Sequence, residues 1–276
     1  MPYSKRRYTR KPYRRSTRKT TTRRTNRRRS GLTKTVARIS RSVQLRQVET
    51  KRNITINLVA APTPSTNANW QYYYRNVFVD LANGVDSDDI IGNEFVDPYV
   101  TFKWNVQFDI NNLRSLNTSN TGVQTVKWWM MLVACNDYLP ATVSGFNSIV
   151  PGTSTDPGGW WVQPDPTKMT FNGNNVKILK KMTRQWHLTS IPSVVGTATV
   201  SGTEQFSGKM KYRWRRGKKT FEDRNTIEED KTRVSQLRGM NYYIVTGWWV
   251  PTALSGTPLA APIFYSVDQY LYFKDP

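Results

Sequence analysis

The sequence predicts an all-β fold: an eight-stranded antiparallel jelly roll of two packed sheets, preceded by a disordered basic N-terminal arm. Three observations predict it. From residue 50 onward, apolar side chains recur with period two rather than with the helical period. The segments that carry this period are rich in aromatic and β-branched residues and are separated by stretches of Gly, Pro, Asn and Ser. The charge is also divided very unevenly: residues 1–52 hold 20 Lys and Arg against one acid, Glu49, in a chain whose net charge is +22. A basic segment of 1–48 therefore precedes a nearly neutral body of 49–276, long enough for one large core.

The arm begins MPYSKRRYTRKPYRRSTRKTTTRRTNRRRSG and has 14 Lys and Arg and no acid in residues 1–30. Self-repulsion and the lack of apolar surface predict disorder. Such an arm neutralises phosphates and releases their counterions, so it should bind nucleic acid tightly, without sequence preference, and in a salt-dependent way. Arginine outnumbers lysine there by 11 to 3, which favours bidentate phosphate contacts and stacking on bases. The expected phosphate-binding residues are Arg6, Arg7, Arg10, Arg14, Arg15, Arg18, Arg23, Arg24, Arg27, Arg28 and Arg29. Tyr3, Tyr8 and Tyr13 recur among them, either as stacking partners for unpaired bases or as incidental members of a low-complexity tail. The clusters Lys5-Arg6-Arg7, Arg14-Arg15 and Arg27-Arg28-Arg29 also have the character of nuclear-import signals. The arm lacks an apolar stretch of the kind a secretory signal needs. Its few bulky apolar groups also argue against an amphipathic presequence.

Residues 32–48 change character. Leu32, Val36, Ile39 and Val43 fall on one helical face with Lys34, Arg38, Arg41 and Arg46 around it. A short cationic helix and an extended linker both fit.

Eight strand segments follow, at about 50–60, 70–81, 99–110, 123–135, 175–188, 206–215, 240–250 and 263–273. The cleanest is 99–110. There Val100, Phe102, Trp104, Val106, Phe108 and Ile110 alternate with Thr101, Lys103, Asn105, Gln107 and Asp109, the pattern of a half-buried antiparallel strand. In 206–215, Phe206, Gly208, Met210, Tyr212 and Trp214 share one face. The other face carries Ser207, Lys209, Lys211, Arg213 and Arg215, and continues into Arg216, Lys218 and Lys219. This cationic face is the candidate site for a polyanion, either packaged nucleic acid or a sulfated glycan, unless it is simply solvated. The connections are very unequal in length, which favours a jelly roll over an up-and-down barrel. The longest, 136–174, is expected to be a structureless interaction loop. Outside the arm, only Phe221–Leu237 and a turn near Ser87–Ile91 read as potentially helical.

Tryptophan pairs occur at Trp128-Trp129, Trp160-Trp161 and Trp248-Trp249. Neighbours on a strand point to opposite faces, so if one enters the core, the other needs another cover. Trp128, Trp160, Trp161 and Trp248 are accordingly expected at a covered surface, a subunit interface by preference and a base-stacking platform as the alternative.

The residues offer little to catalysis. His187 is the single histidine and lies on the polar phase of its strand, with no nucleophile elbow nearby. Cys135 is the single cysteine, which excludes an intrachain disulfide and a cysteine-based zinc site. No P-loop or glycine-rich dinucleotide motif occurs. Asp86, Asp88, Asp89, Glu94 and Asp97 form an acidic loop for which three readings stay open, a Ca²⁺ held between subunits, a solvated loop and a partner for a neighbour's basic surface, and no metal is assigned to it. The sequence contains no apolar run long enough to span a membrane. No cofactor is expected and the chain does not read as an enzyme.

The arm MPYSKRRYTRKPYRR, the whole-chain plan and the ending Tyr270-Leu271-Tyr272-Phe273-Lys274-Asp275-Pro276 resemble the capsid proteins of small circular single-stranded DNA viruses, the circovirus and cyclovirus group. The loop at 136–174 is larger than is usual there. The resemblance implies a virion shell of about 60 identical subunits, with arms turned inward on a single-stranded DNA genome. It also implies entry into the host nucleus through import receptors, and attachment to sulfated glycans through Arg213, Arg215, Arg216, Lys218 and Lys219. Sixty such arms would carry roughly 1,100 positive charges, enough to offset about as many phosphates. Two alternatives remain open: the coat protein of a small RNA virus, and a nucleic-acid-binding protein that does not assemble.

Overall fold

The computed structural model describes residues 31–40, 43, 48–60, 70–81, 89–109, 125–137, 139, 145–149, 160–163, 170–187, 203–214, 218–222, 236–249 and 263–275. The chain divides into two units, Met1–Val48 and Glu49–Pro276. In the first, residues 31–40 form a helix, α1, and residue 43 is helical as well. The Thr35 hydroxyl caps a turn of it by donating to the Gly31 carbonyl at 2.9 Å. Leu32, Val36, Ile39 and Val43 lie along it as an exposed apolar stripe. Of the two readings for residues 32–48, the helical one holds over the described part. The arm positions 1–30, with all their arginines and tyrosines, lie outside the described residues.

The second unit contains twelve strands among its described residues. Eight are long: β1 (Thr50–Ala60), β2 (Trp70–Asn76), β3 (Glu94–Asp109), β4 (Thr125–Cys135), β8 (Val176–His187), β9 (Thr203–Arg213), β11 (Asn241–Trp249) and β12 (Ile263–Lys274). They fall where the period-two segments place them. Four are short: β5 (Asn147–Ile149), β6 (Trp161–Gln163), β7 (Thr170–Phe171) and β10 (Lys218–Thr220).

The strands form two five-stranded antiparallel sheets and a small ribbon of β6 and β7. In the first sheet β1 pairs with β12 and β12 with β3. The free side of β3 takes β9 along Tyr99–Asp109 and β10 along Glu94–Val96. The second sheet runs β5-β2-β11-β4-β8. Most successive long strands cross from one sheet to the other, which is the winding of a jelly roll.

The core lies between the sheets, because each contributes one apolar face. β12 alternates without a break: Ile263, Tyr265, Val267, Gln269, Leu271 and Phe273 are buried, while the residues between them are exposed or half-buried. They meet Val100, Phe102, Trp104, Val106 and Phe108 of β3, and Trp128, Met130, Leu132, Ile244 and Trp248 of the opposite sheet. The polar members are paired across the sheets. The Gln269 amide donates to the Val77 carbonyl at 2.8 Å, its oxygen accepts from Arg75 at 3.2 Å, and Arg75 is ion-paired with Asp80. Tyr265 and Thr246 share a buried hydrogen bond of 2.7 Å.

β4 and β11 depart from simple alternation, since nearly every residue in them is buried. Their second face packs Trp129, Met131, Val133, Cys135, Tyr243 and Val245 into a separate cluster, closed over by Leu139, Trp160 and Phe171. The segment 136–174 is therefore not structureless as expected. It supplies β5, β6 and β7, and its side chains cover an apolar sheet face that would otherwise meet water.

That cover also corrects the assignment of the tryptophans to a subunit interface. Trp128, Trp160 and Trp248 are each fully buried within the chain. Trp128 and Trp248 lie between the sheets, whereas Trp160 lies among Tyr74, Phe171 and Tyr243. The pairs do split between faces, because Trp129 and Trp249 belong to the second cluster. The chain itself provides the cover that a partner subunit was expected to give. Trp161 opens β6, and only its backbone is described.

Three boundaries also differ. β3 begins at Glu94, so Glu94 and Asp97 belong to a strand and not to the acidic loop. Asp97 has a positive φ of 48° and the register slips between Tyr272 and Lys274, so this end of β3 is bulged just before Pro98. β2 ends at Asn76, and Val77–Asp80 turn away. Phe221 and Leu237 form an antiparallel bridge in place of the ends of a helix, and residues 223–235 lie outside the described set.

Candidate nucleic-acid interface

The outward face of the first sheet carries three of the sequence-predicted polyanion candidates. β9 positions its cations by strict alternation. Phe206, Met210, Tyr212 and Trp214 turn toward the core, while Ser207, Lys209, Lys211 and Arg213 are exposed. Gly208 sits inward opposite Trp104, and a Cβ there would come within 2.6 Å of the indole. The strand therefore needs glycine to let that ring approach so closely.

Register carries the face across three more strands. Arg213 stands beside Tyr99, Tyr99 beside Tyr272, and Tyr272 beside Arg52. The two tyrosine rings are stacked, with centroids 4.4 Å apart and planes 6° from parallel. Burial raises the Tyr99 phenol's pKa, as does the neighbouring Tyr272, while the Arg213 charge works the other way. The next row holds Lys211, Thr101, Tyr270 and Ile54, and the one after it Lys209, Lys103 and Asp268. The Lys103 ammonium lies 4.5 Å from the centre of the Tyr270 ring and donates to its hydroxyl at 3.3 Å. Asp268 is engaged elsewhere: its carboxylate accepts from the Asn57 amide at 2.9 Å, holding the bulge of β1. Toward the far end, Asn105, Gln107, Phe264, Tyr265 and Ser266 line an open depression.

The cationic surface turns the corner of the sandwich onto β8, an edge of the second sheet. Lys180 donates to the Lys211 carbonyl at 2.8 Å, and the Arg184 guanidinium lies 5.2 Å from the centre of the Trp104 ring. Both residues are exposed.

Of the seven polyanion candidates named from the sequence, Lys209, Lys211 and Arg213 lie together on this face, and Arg215 and Arg216 lie outside the described residues. Lys218 and Lys219 do not extend it. Lys218 is ion-paired with Glu94, and Lys219 donates to the Tyr242 hydroxyl at 2.6 Å while lying over that ring. The alternation pattern alone does not bring out Arg52, Lys103, Tyr99, Tyr270 and Tyr272. The available signal was an aromatic residue on the polar phase of a strand; which strands are neighbours is a matter of pairing. Asp275, from the C-terminal motif, ties the chain end to the body. It pairs with Lys51 at 3.2 Å and accepts from the Ile91 amide at 2.7 Å.

Among the described residues no three His, Cys, Asp or Glu side chains are grouped to hold a metal. Cys135 is buried, and desolvation is the main reason its pKa is raised. No helix among the described residues is long and apolar enough to cross a membrane.

No protein-family model matches the chain, and no curated protein matches it. Among solved structures, an unassembled KI polyomavirus VP1 pentamer is similar at 12% identity and a TM-score of 0.15, over 82% of this chain and 93% of that one. A likeness this slight carries no functional argument.

Proposed function

We propose that this chain is a viral coat protein that assembles into a small icosahedral shell and packages single-stranded DNA through its basic arm. One observation carries the reading. A segment of 1–52 with 20 Lys and Arg and a single acid is joined to a body that is nearly neutral and folds as a jelly roll. A polycationic segment joined to a β-sandwich separates cargo neutralisation from shell building. Arg6, Arg7, Arg10, Arg14, Arg15, Arg18, Arg23, Arg24 and Arg27–Arg29 bind phosphates in this reading, and Tyr3, Tyr8 and Tyr13 stack on unpaired bases. The clusters at Lys5–Arg7, Arg14-Arg15 and Arg27–Arg29 serve nuclear import. The circovirus-like resemblance supports DNA as the cargo and about 60 copies as the shell. Sulfated glycans are the alternative to nucleic acid as ligand for the exposed Lys209, Lys211 and Arg213. No chemical step is assigned to the chain.

Sedimentation and electron microscopy of the purified protein test the reading, comparing the full chain with a variant lacking 1–48 under nuclease and at high salt. Closed particles with nuclease-protected nucleic acid, lost on deletion, are expected. A monodisperse monomer or dimer under every condition overturns it.

A further inference from the structure

We infer that the outward face of the first sheet is a second nucleic-acid site, separate from the arm, on which unpaired bases stack. Its ligand class rests on the packaging role proposed above; the surface itself rests on the residues of four adjacent strands. An exposed sheet face that only needs solvation carries mixed polar and charged groups. This face instead lines up aromatic rings between cations. Arg52, Tyr272, Tyr99 and Arg213 form one continuous cross-strand row, and Lys211 and Tyr270 stand in the next. Lys103 and Lys209 follow, and the depression with Phe264, Asn105 and Gln107 closes the track. Phe264 is 38% exposed, so its ring is open to a ligand.

The chemistry fits a single strand better than a sulfated glycan. A glycan needs cations and hydroxyl-directed hydrogen bonds but gains little from a row of rings. A nucleic acid strand uses both parts of the surface, because its phosphates meet Arg52, Lys103, Lys209, Lys211 and Arg213 while its bases meet the rings. Side-chain amides such as those of Asn105 and Gln107 can donate to and accept from base edges. The geometry also matches. From Tyr272 to Phe264 is eight residues along β12, or roughly 27 Å at strand rise, a length that takes about four extended nucleotides. Asp268, an acid on the track, accepts a hydrogen bond from the Asn57 backbone amide.

The test uses the full chain and fluorescence anisotropy at about 0.5 M salt, where phosphate contacts of the arm are largely screened and stacking persists. The probes are an oligothymidylate and an abasic oligomer of the same length and charge. The expected result is about tenfold tighter binding of the base-bearing strand. That preference should disappear in a Tyr272→Ala, Phe264→Ala variant, persist in Tyr272→Phe, and persist when Tyr3, Tyr8 and Tyr13 are all replaced by alanine. Photocrosslinking with 5-iodouracil should then label Tyr99, Tyr270 or Tyr272.

Equal binding of the two oligomers overturns the inference. So does a preference that vanishes with the arm tyrosines and leaves crosslinks only there. Heparin displacing the oligothymidylate as well as unlabelled strand does marks a surface that reads charge alone, and overturns it too. A chain that forms no particles yet shows the preference refutes the capsid reading and keeps the sheet site. Particles without the preference do the reverse.

Discussion

Arg75 is a charged residue set in the core. It is fully buried, and its guanidinium is held by Asp80 and by Gln269 across the sheets. Removing one partner leaves a buried charge without compensation, so Asp80→Ala should destabilise the fold by about 3–5 kcal/mol in a denaturant titration. Asp80 also accepts from Thr55 of β1, so the same substitution loosens two strands at once. Tyr265 gives a pH-dependent counterpart. It is buried against Thr246, and its pKa is raised well above 10.0, chiefly by burial. In the unfolded chain the phenol ionises near pH 10. The folded state resists ionisation, so the group's contribution is complete below that pH and is lost as pH rises through the higher folded value. Stability measured between pH 8 and 11 should therefore fall at the alkaline end. Tyr265→Phe should lose part of that fall while costing about 1–3 kcal/mol at neutral pH for the unpaired Thr246 hydroxyl.

At the scale of elements, the second sheet depends on its own loop. Trp160 fills the cluster above β4 and β11 and contacts the rings of Tyr74, Phe171 and Tyr243. Trp160→Ala should cost about 3–5 kcal/mol. It should also expose the thiol of Cys135, which is buried in the native fold and should be silent toward a thiol reagent there but react within minutes in the variant; thiol titration under native conditions measures this. In the first sheet, Gly208→Ala forces a methyl into the Trp104 ring and should destabilise by about 1–3 kcal/mol. Near-ultraviolet circular dichroism should change with it, because the ring must move. The lysines of β8 admit a simpler role at this scale as well. β8 is a sheet edge, and charged edges discourage pairing with another chain's strand.

For the whole molecule, the division of charge sets the response to salt. Log affinity for a single strand should fall linearly with log salt, and replacing Arg27, Arg28 and Arg29 by alanine should make the slope shallower by about 2. The loss should be the same for all base sequences, because phosphate contacts carry no sequence information. Filter binding across a salt series on a mixed-sequence and a homopolymeric strand measures both. A slope unchanged by the substitution would place the phosphate contacts elsewhere.

The all-β class, the positions of the eight long strands and the outward phase of β9 are legible in the residues alone, because period two is a local property that each strand writes into its own sequence. The concentration of charge in the first 52 residues is legible in the same way, since charge is a matter of composition. What each face meets is settled only when the strands come together. Trp128 and Trp248 face the opposite sheet and Trp160 covers the back of its own, a distinction invisible to alternation because both faces of β4 and β11 are apolar. The row Arg52, Tyr272, Tyr99 and Arg213 joins residues from four strands that lie far apart in the chain. Lys218 and Lys219 read as free cations until Glu94 and Tyr242 are brought beside them. Local pattern fixes which way a side chain points, and strand pairing at long sequence separation fixes its neighbours.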